Sequence, residues 1–269
     1  MNINKKKTIG LALGSGAYRG FAHIGVIKAL EKNNISIDYL SGSSIGAWVA
    51  AHYAIFRDVA KLEADFIDKP TDNLPLLLDV GLAKGLISGR KFITYLEKSF
   101  GNYTFKDVRI PLKIVATDLA TGQPFVFSSG SISSAVRAST SVPLVFKPFI
   151  YNEKMLVDGG LSDPVPGRLV KDMGAEIIIG VNLYHENEFK TGRLNMSKIA
   201  LLSTRIALHN LATNDLRGVD VAIEPDCSVF VKKSVFNKYF TTAAGQEMIK
   251  IGELATERAL PAIKKLLQI

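Results

Sequence analysis

Apolar positions along this chain fall either into short runs or into longer stretches of helical spacing. Short apolar runs at 8–13, 112–117, 125–127 and 177–181 read as strands. Between them, apolar residues fall at helical spacing. In "FAHIGVIKALEK" (21–32) Ile24, Ile27, Ala29 and Leu30 can share one face, and similar patterns lie near 88–99, 197–213 and 243–267. Strands that alternate with helices predict a mainly parallel sheet covered on both sides, a three-layer α/β/α sandwich. The stretch from about 56 to 86, with "LPLLLDVGL", is the least regular and is expected to be core or to flank a pocket as a lid.

Composition narrows this picture. Of 269 residues 47% are apolar and 22% charged, with no repeat and no low-complexity tract, so a single compact domain over 1–269 is expected, its last helical part (197–269) packing on the rest. The formal net charge is +8, with basic clusters at Lys5-Lys6-Lys7, Lys232-Lys233 and Lys264-Lys265. Such a balance suits a solvated basic surface first and peripheral contact with an anionic membrane second. No nucleic-acid partner is expected, because no basic helix face or recognised motif accompanies the charge. Cys227 is the one cysteine, which excludes an internal disulfide and a cysteine metal cluster and fits a reducing, cytoplasmic setting. The N-terminal lysines precede an apolar run too short for a signal segment, and no stretch approaches 18 apolar residues.

Three motifs each follow a strand-like run, where α/β sheets gather their active sites. The first is "LGSGAYRG", with Gly14, Ser15, Gly16, Ala17 and Arg19, whose backbone N–H groups can converge on an anion. A dinucleotide fingerprint is the competing reading, with Asp38 as ribose acid. It fits poorly, since Arg19 occupies the third small position and Asp38 precedes the strand-like "YLS" instead of following it. The second is "GSSIG", in which Gly42 and Gly46 frame Ser44 as a nucleophile elbow before the helix-like "AWVAAHYA". The third is "MLVDGGLSDPVP". There Asp158 is expected on an open turn, its glycine pair leaving room for a reacting group, while Asp118 and Asp163 fit strand-closing and turn or capping roles.

With these motifs in order, and with "IVATDLATGQPFVF" and "AVRASTSVPLVFKP" between them, residues 8–181 resemble the patatin-like phospholipases, and "GSGAYRGFAHIGVIKALE" is similar to the bacterial branch related to the neuropathy target esterase catalytic domain. The resemblance implies a serine acyl hydrolase of lipid esters, of phospholipase A or lysophospholipase type. It implies a Ser44–Asp158 dyad, an oxyanion hole from backbone N–H groups of Gly14 to Ala17, Arg19 holding that loop, and no cofactor. Gly14-Ser15-Gly16 stands where most members have three glycines. A catalytically silent lipid-binding or regulatory module on the same fold is the alternative.

A Ser–Asp–His order would also admit His185 or His209 as the base. "YHENE" reads as a solvated loop, "TRIALHNLA" as a helix, and His23 and His52 as packing residues on the helices after the first two motifs. No H-E-x-x-H or EF-hand pattern occurs, so no metal is expected.

Overall fold

The structure, a computed structural model, describes residues 7–67, 88–143, 145–189, 195–228 and 242–269. Strand β1 (Ile9–Leu13) is buried throughout and runs down the middle of the sheet. Parallel partners flank it, β2 (Tyr39–Ser43) on one side and β7 (Ile177–Val181) on the other. They are followed outward by β3 (Leu112–Asp118) and β8 (Val221–Ile223). Antiparallel pieces complete it: β4 (Pro124–Phe127) and β6 (Lys154–Val157) pair with β3, and β5 (Phe149–Tyr151) pairs with β6.

The alternation within β1 assigns the two covering layers. Ile9, Leu11 and Leu13 enter the main core with helices α1 (Phe21–Lys32), α2 (Ile45–Phe56), α3 (Val59–Ile67), α4 (Arg90–Phe100) and α5 (Ile132–Ser139). On the opposite face, Gly10 lies against Val170 of α6 (Gly167–Lys171), and Ala12 packs with Val165, Tyr184 and Ala212 of α7 (Met196–Asp215). The three layers are those expected from the sequence pattern. No helix among the described residues is long and apolar enough to cross a membrane.

Helix α1 differs from its expected single apolar face: eight of its twelve residues are buried. The outer side is covered by the last helix, α8 (Thr242–Leu267), across two facing glycines. A Cβ on Gly25 would strike Ile249 O, and one on Gly252 would strike Ala22 O. The irregular stretch at about 56–86 is helical in α3 as far as Ile67, and its remainder lies outside the described residues, as do Lys5, Lys6, Lys232 and Lys233.

Candidate active site

The three motif loops meet at the carboxyl edge of the parallel strands. Leu13 pairs with Gly42 and with Val181, so the turns after β1 and β2 leave the sheet side by side. β6 joins the same edge by pairing Val157 with Thr117.

Ser44 sits between β2 and α2 with φ 55° and ψ −123°, a conformation that a residue with a side chain adopts only under constraint. The flanking glycines supply that constraint through close approach. A Cβ on Gly46 would collide with Leu13 O, and one on Gly42 with Ala47 and Gly46 O. The Ser44 N–H donates to Ser139 Oγ at 2.8 Å, and Ser139 Oγ–H in turn donates to Val115 O at 2.6 Å. Ser139, which no sequence motif singled out, thereby ties the elbow to α5 and β3.

Ser44 Oγ–H donates to Asp158 Oδ2 at 2.6 Å, and the other carboxylate oxygen accepts the Gly160 N–H at 2.9 Å. Burial pushes Asp158 up to about 6, against the lowering effect of the bonds from Ser44 and Gly160. A carboxylate in that range is ionised at neutral pH yet basic enough to take a proton. The turn differs from the open one expected. Asp158 is buried, its N–H donates to Ser141 O at 3.0 Å and its carbonyl accepts from Thr117 Oγ1 at 2.8 Å. Gly159 and Gly160 are small because Val115 O and the Ser15 side chain crowd them, leaving no room for a reacting group there.

In the first loop, Gly14 N–H donates to Val181 O at 3.0 Å and Ser15 N–H to Pro164 O at 2.8 Å, so neither is free to meet an oxyanion. No such bond to a backbone carbonyl engages Gly16 or Ala17 N–H among the described residues. The left-handed residue here is Ala17, at φ 52°, whereas Gly14 and Gly16 are required by the closeness of Val181 O and Leu183. Arg19, buried, donates to Gly16 O at 3.0 Å and stacks near the Tyr18 and Tyr184 rings. His23 does more than pack. Its Nε2–H donates to Gly14 O at 2.7 Å, and burial lowers its pKa to about 4, keeping it neutral. Ser15 Oγ and Tyr184 Oη share a hydrogen bond of 3.1 Å.

Ser44 opens into a cavity of about 170 Å³ lined by Ala17, Tyr18, Phe21, Ile45, Trp48, Phe66, Phe92, Tyr95, Val142 and Phe146, with Thr140 and Asp65 as its other polar members. Trp48 packs against Phe66, Phe92 and Tyr95 with ring centroids 5.1, 5.4 and 5.8 Å apart. Asp65 is already engaged by Lys61 at 2.8 Å and His52 at 2.9 Å. Although burial pushes it up, these bonds hold it below its ordinary value.

The other sequence candidates fall elsewhere. Asp38 accepts the Ile9 N–H at 2.7 Å at the start of β1, the edge opposite the glycine loop. Asp118 accepts from Ala120 N–H and pairs with Lys154 at 2.7 Å, closing β3 as expected. Asp163 lies with Asp215, and burial followed by that neighbouring charge pushes it up to about 7. His185 Nδ1 accepts the Asn187 N–H at 3.2 Å, and His209 lies edge-on to Phe189. None of the four histidines takes a hydrogen bond to Ser44 or Asp158 among the described residues. No group of three or more metal-ligating side chains occurs among those residues either.

Residues 11–170 match the family model described as patatin-like phospholipase. The chain belongs to that family. Two relatives place this patatin-like chain more closely. An uncharacterised NTE family protein of Mycobacterium tuberculosis is 36% identical over 177 residues, covering 65% of this chain and 49% of the relative. The lysophospholipase nte1 of Aspergillus fumigatus is 32% identical over 181 residues, 66% of this chain but 12% of that protein. The patatin-like chain thus spans half or less of the curated relatives it matches. VipD from Legionella pneumophila shares the fold, with TM-score 0.61 at 13% identity over 96% of this chain and 67% of that one.

Proposed function

We propose that this chain is a serine acyl hydrolase that cleaves carboxylic esters of lipids, of phospholipase A or lysophospholipase type. The observation that carries the reading is the 2.6 Å bond from Ser44 Oγ to a buried carboxylate, Asp158, at the mouth of an aromatic, apolar cavity. Family membership and the lysophospholipase relative support it.

In this reading Asp158 takes the Ser44 proton as Oγ attacks the ester carbonyl, forming a tetrahedral oxyanion. Gly16 and Ala17 N–H groups, held by Arg19 and His23 through carbonyls of the same loop, donate to that oxygen, and the N-terminal end of α2 adds a favourable dipole. Asp158 returns the proton to the leaving alcohol, giving an acyl-serine. Water then attacks the acyl carbon, with Asp158 again accepting the proton, and Ser44 is released. The apolar cavity suits the acyl chain.

A panel of dissolved esters, lysophospholipids and phospholipids tests this. Ser44→Ala should lower kcat/KM by about 10⁴-fold or more and abolish labelling by a fluorophosphonate, with Asp158→Asn nearly as damaging. His185→Ala and His209→Ala should each keep most activity. A folded histidine variant as damaged as Ser44→Ala would replace the dyad with a triad.

A further inference from the structure

The end of α5 holds both halves of the Ser44–Asp158 pair. Ser139, its last residue, accepts the Ser44 N–H at 2.8 Å, and just past it the Ser141 carbonyl accepts the Asp158 N–H at 3.0 Å. Thr140 between them and Val142 beyond line the cavity. A shift of this turn therefore moves nucleophile, carboxylate and cavity wall together.

The side chain that fixes the turn is Arg137, only 2% exposed. Its Nη1–H donates to Ser141 Oγ at 2.6 Å, and Ser141 Oγ–H donates back to the Arg137 carbonyl at 2.9 Å. Nη2–H reaches Lys147 O at 3.3 Å and Ser88 O at 3.4 Å. Arg137 Cζ lies 4.9 and 5.7 Å from the ring centroids of Phe146 and Phe149. Gly89, at φ 74°, packs on the guanidinium from the start of α4, where a Cβ would strike Nη2. Lys147 follows Phe146 of the cavity wall, and α4 carries Phe92 and Tyr95 of that wall. One guanidinium thus joins α5 to Ser141, to Lys147 and to the entry of α4. No carboxylate pairs with it among the described residues. Burial lowers its pKa to about 10, so it stays charged at neutral pH. A buried cation without an opposing charge destabilises a fold, and methionine of similar length would avoid that penalty. Methionine offers no donor to these acceptors, however, and lysine offers a point charge where a planar fork is needed.

We propose that Arg137 is the positioning residue of the dyad, fixing the end of α5 through which Ser139 and Ser141 set Ser44 and Asp158. The inference rests on the Ser44–Asp158 reading above and adds the side chain on which its geometry depends.

The test is kinetics of the full chain on a dissolved short-chain ester, per folded molecule as counted by circular dichroism and urea unfolding. Arg137→Lys should lower kcat about tenfold or more with KM within about twofold, because a displacement of about 1 Å between reacting groups has at least that effect. As the turn loosens, water reaches Asp158 and lessens the burial that raises it, so the acidic limb at about pH 6 should move to lower pH. Ser141→Ala, which removes only the Oγ acceptor, should lower kcat about fivefold, and the double variant should be no slower than Arg137→Lys alone. A purely structural arginine predicts instead a lower urea midpoint with kcat and the limb unchanged, and that result overturns the proposal. A rise in KM alone also overturns it and assigns Arg137 to the cavity wall. Should Arg137→Lys fail to fold, Ser141→Ala decides, a kcat within about twofold of the parent and an unmoved limb overturning the proposal. If Ser44→Ala keeps the parent's activity, the dyad reading fails and the positioning role fails with it. If Ser44→Ala is inactive and Arg137→Lys is normal, the positioning role alone fails.

Discussion

At the scale of single residues, the proposed chemistry turns on one carboxylate whose surroundings pull in opposite directions. Burial raises Asp158 to about 6, while the hydrogen bonds from Ser44 and Gly160 limit the rise. Only the ionised form can accept the serine proton, so kcat/KM on a dissolved ester should fall as pH drops through about 6, along a single limb of unit slope. His23 is neutral across that range and holds Gly14 O, so it adds no limb, and the same limb should persist in His185→Ala. A pH–rate profile checks this, and a limb that disappears with His185 would move the titrating base from Asp158 to an imidazole. Ser44 and its framing glycines were legible because their spacing is local, whereas the pairing of Ser44 with Asp158, 114 positions on, was implied by the family resemblance. Ser139 was not: it meets Ser44 from 95 positions away, and nothing in "RASTS" marks which serine faces the elbow.

At the scale of elements, the contact of α1 with α8 decides how the glycine loop is supported. Helix propensity alone predicts that Gly252→Ala stabilises α8 by about 1 kcal/mol. The structure predicts the opposite sign. The new Cβ would meet the Ala22 backbone, which cannot step aside as a flexible side chain can, so the two helices must separate. A net loss of about 1–3 kcal/mol is expected in urea unfolding. Since α1 carries His23, whose imidazole holds Gly14 O, activity should also fall. A gain in stability would mean that the helices part without cost. The amphipathic runs at 21–32 and 243–267 announced both helices, but their mutual approach depends on two glycines 227 positions apart, which no periodicity reveals.

At the scale of the whole molecule, Asp163 and Asp215 join the turn after Asp158 to the end of α7, beside a cavity of about 370 Å³ that Arg168 and Lys171 also line. Burial, then the Asp215 charge, raises Asp163 from 3.8 to about 7, with Arg168 opposing. Burial raises Asp215 to about 6 against the Val165 N–H bond. Both folded values lie above the unfolded ones, so the unfolded chain releases these protons first. Stability should therefore decline as pH rises from about 4 to about 7 and level off above. Asp163→Asn removes the cost of ionising the buried group, so it should raise Tm at pH 8 by several degrees and change it little at pH 4.5. Equal shifts at both pH values would assign the effect to packing instead of charge.

The sequence by itself determined what depends on near neighbours. Short apolar runs specified β1, β3 and β7, apolar spacing at 3.6 residues specified α1 and α8, and the glycine spacing in "GSSIG" specified a sharp turn around Ser44, because run length, helical twist and steric access are properties of adjacent residues. Tertiary structure decided which atoms remain available. Gly14 and Ser15 looked equal to Gly16 and Ala17 as oxyanion donors until Val181 and Pro164, more than 140 positions downstream, took their N–H groups. The glycines at 159 and 160 looked like open space until Val115 and Ser15 were seen against them. Ile150, Met155 and Leu119 likewise come side by side only through strand pairing. Each of these outcomes is a hydrogen bond or a close approach between distant segments, whose register is set only when the layers pack.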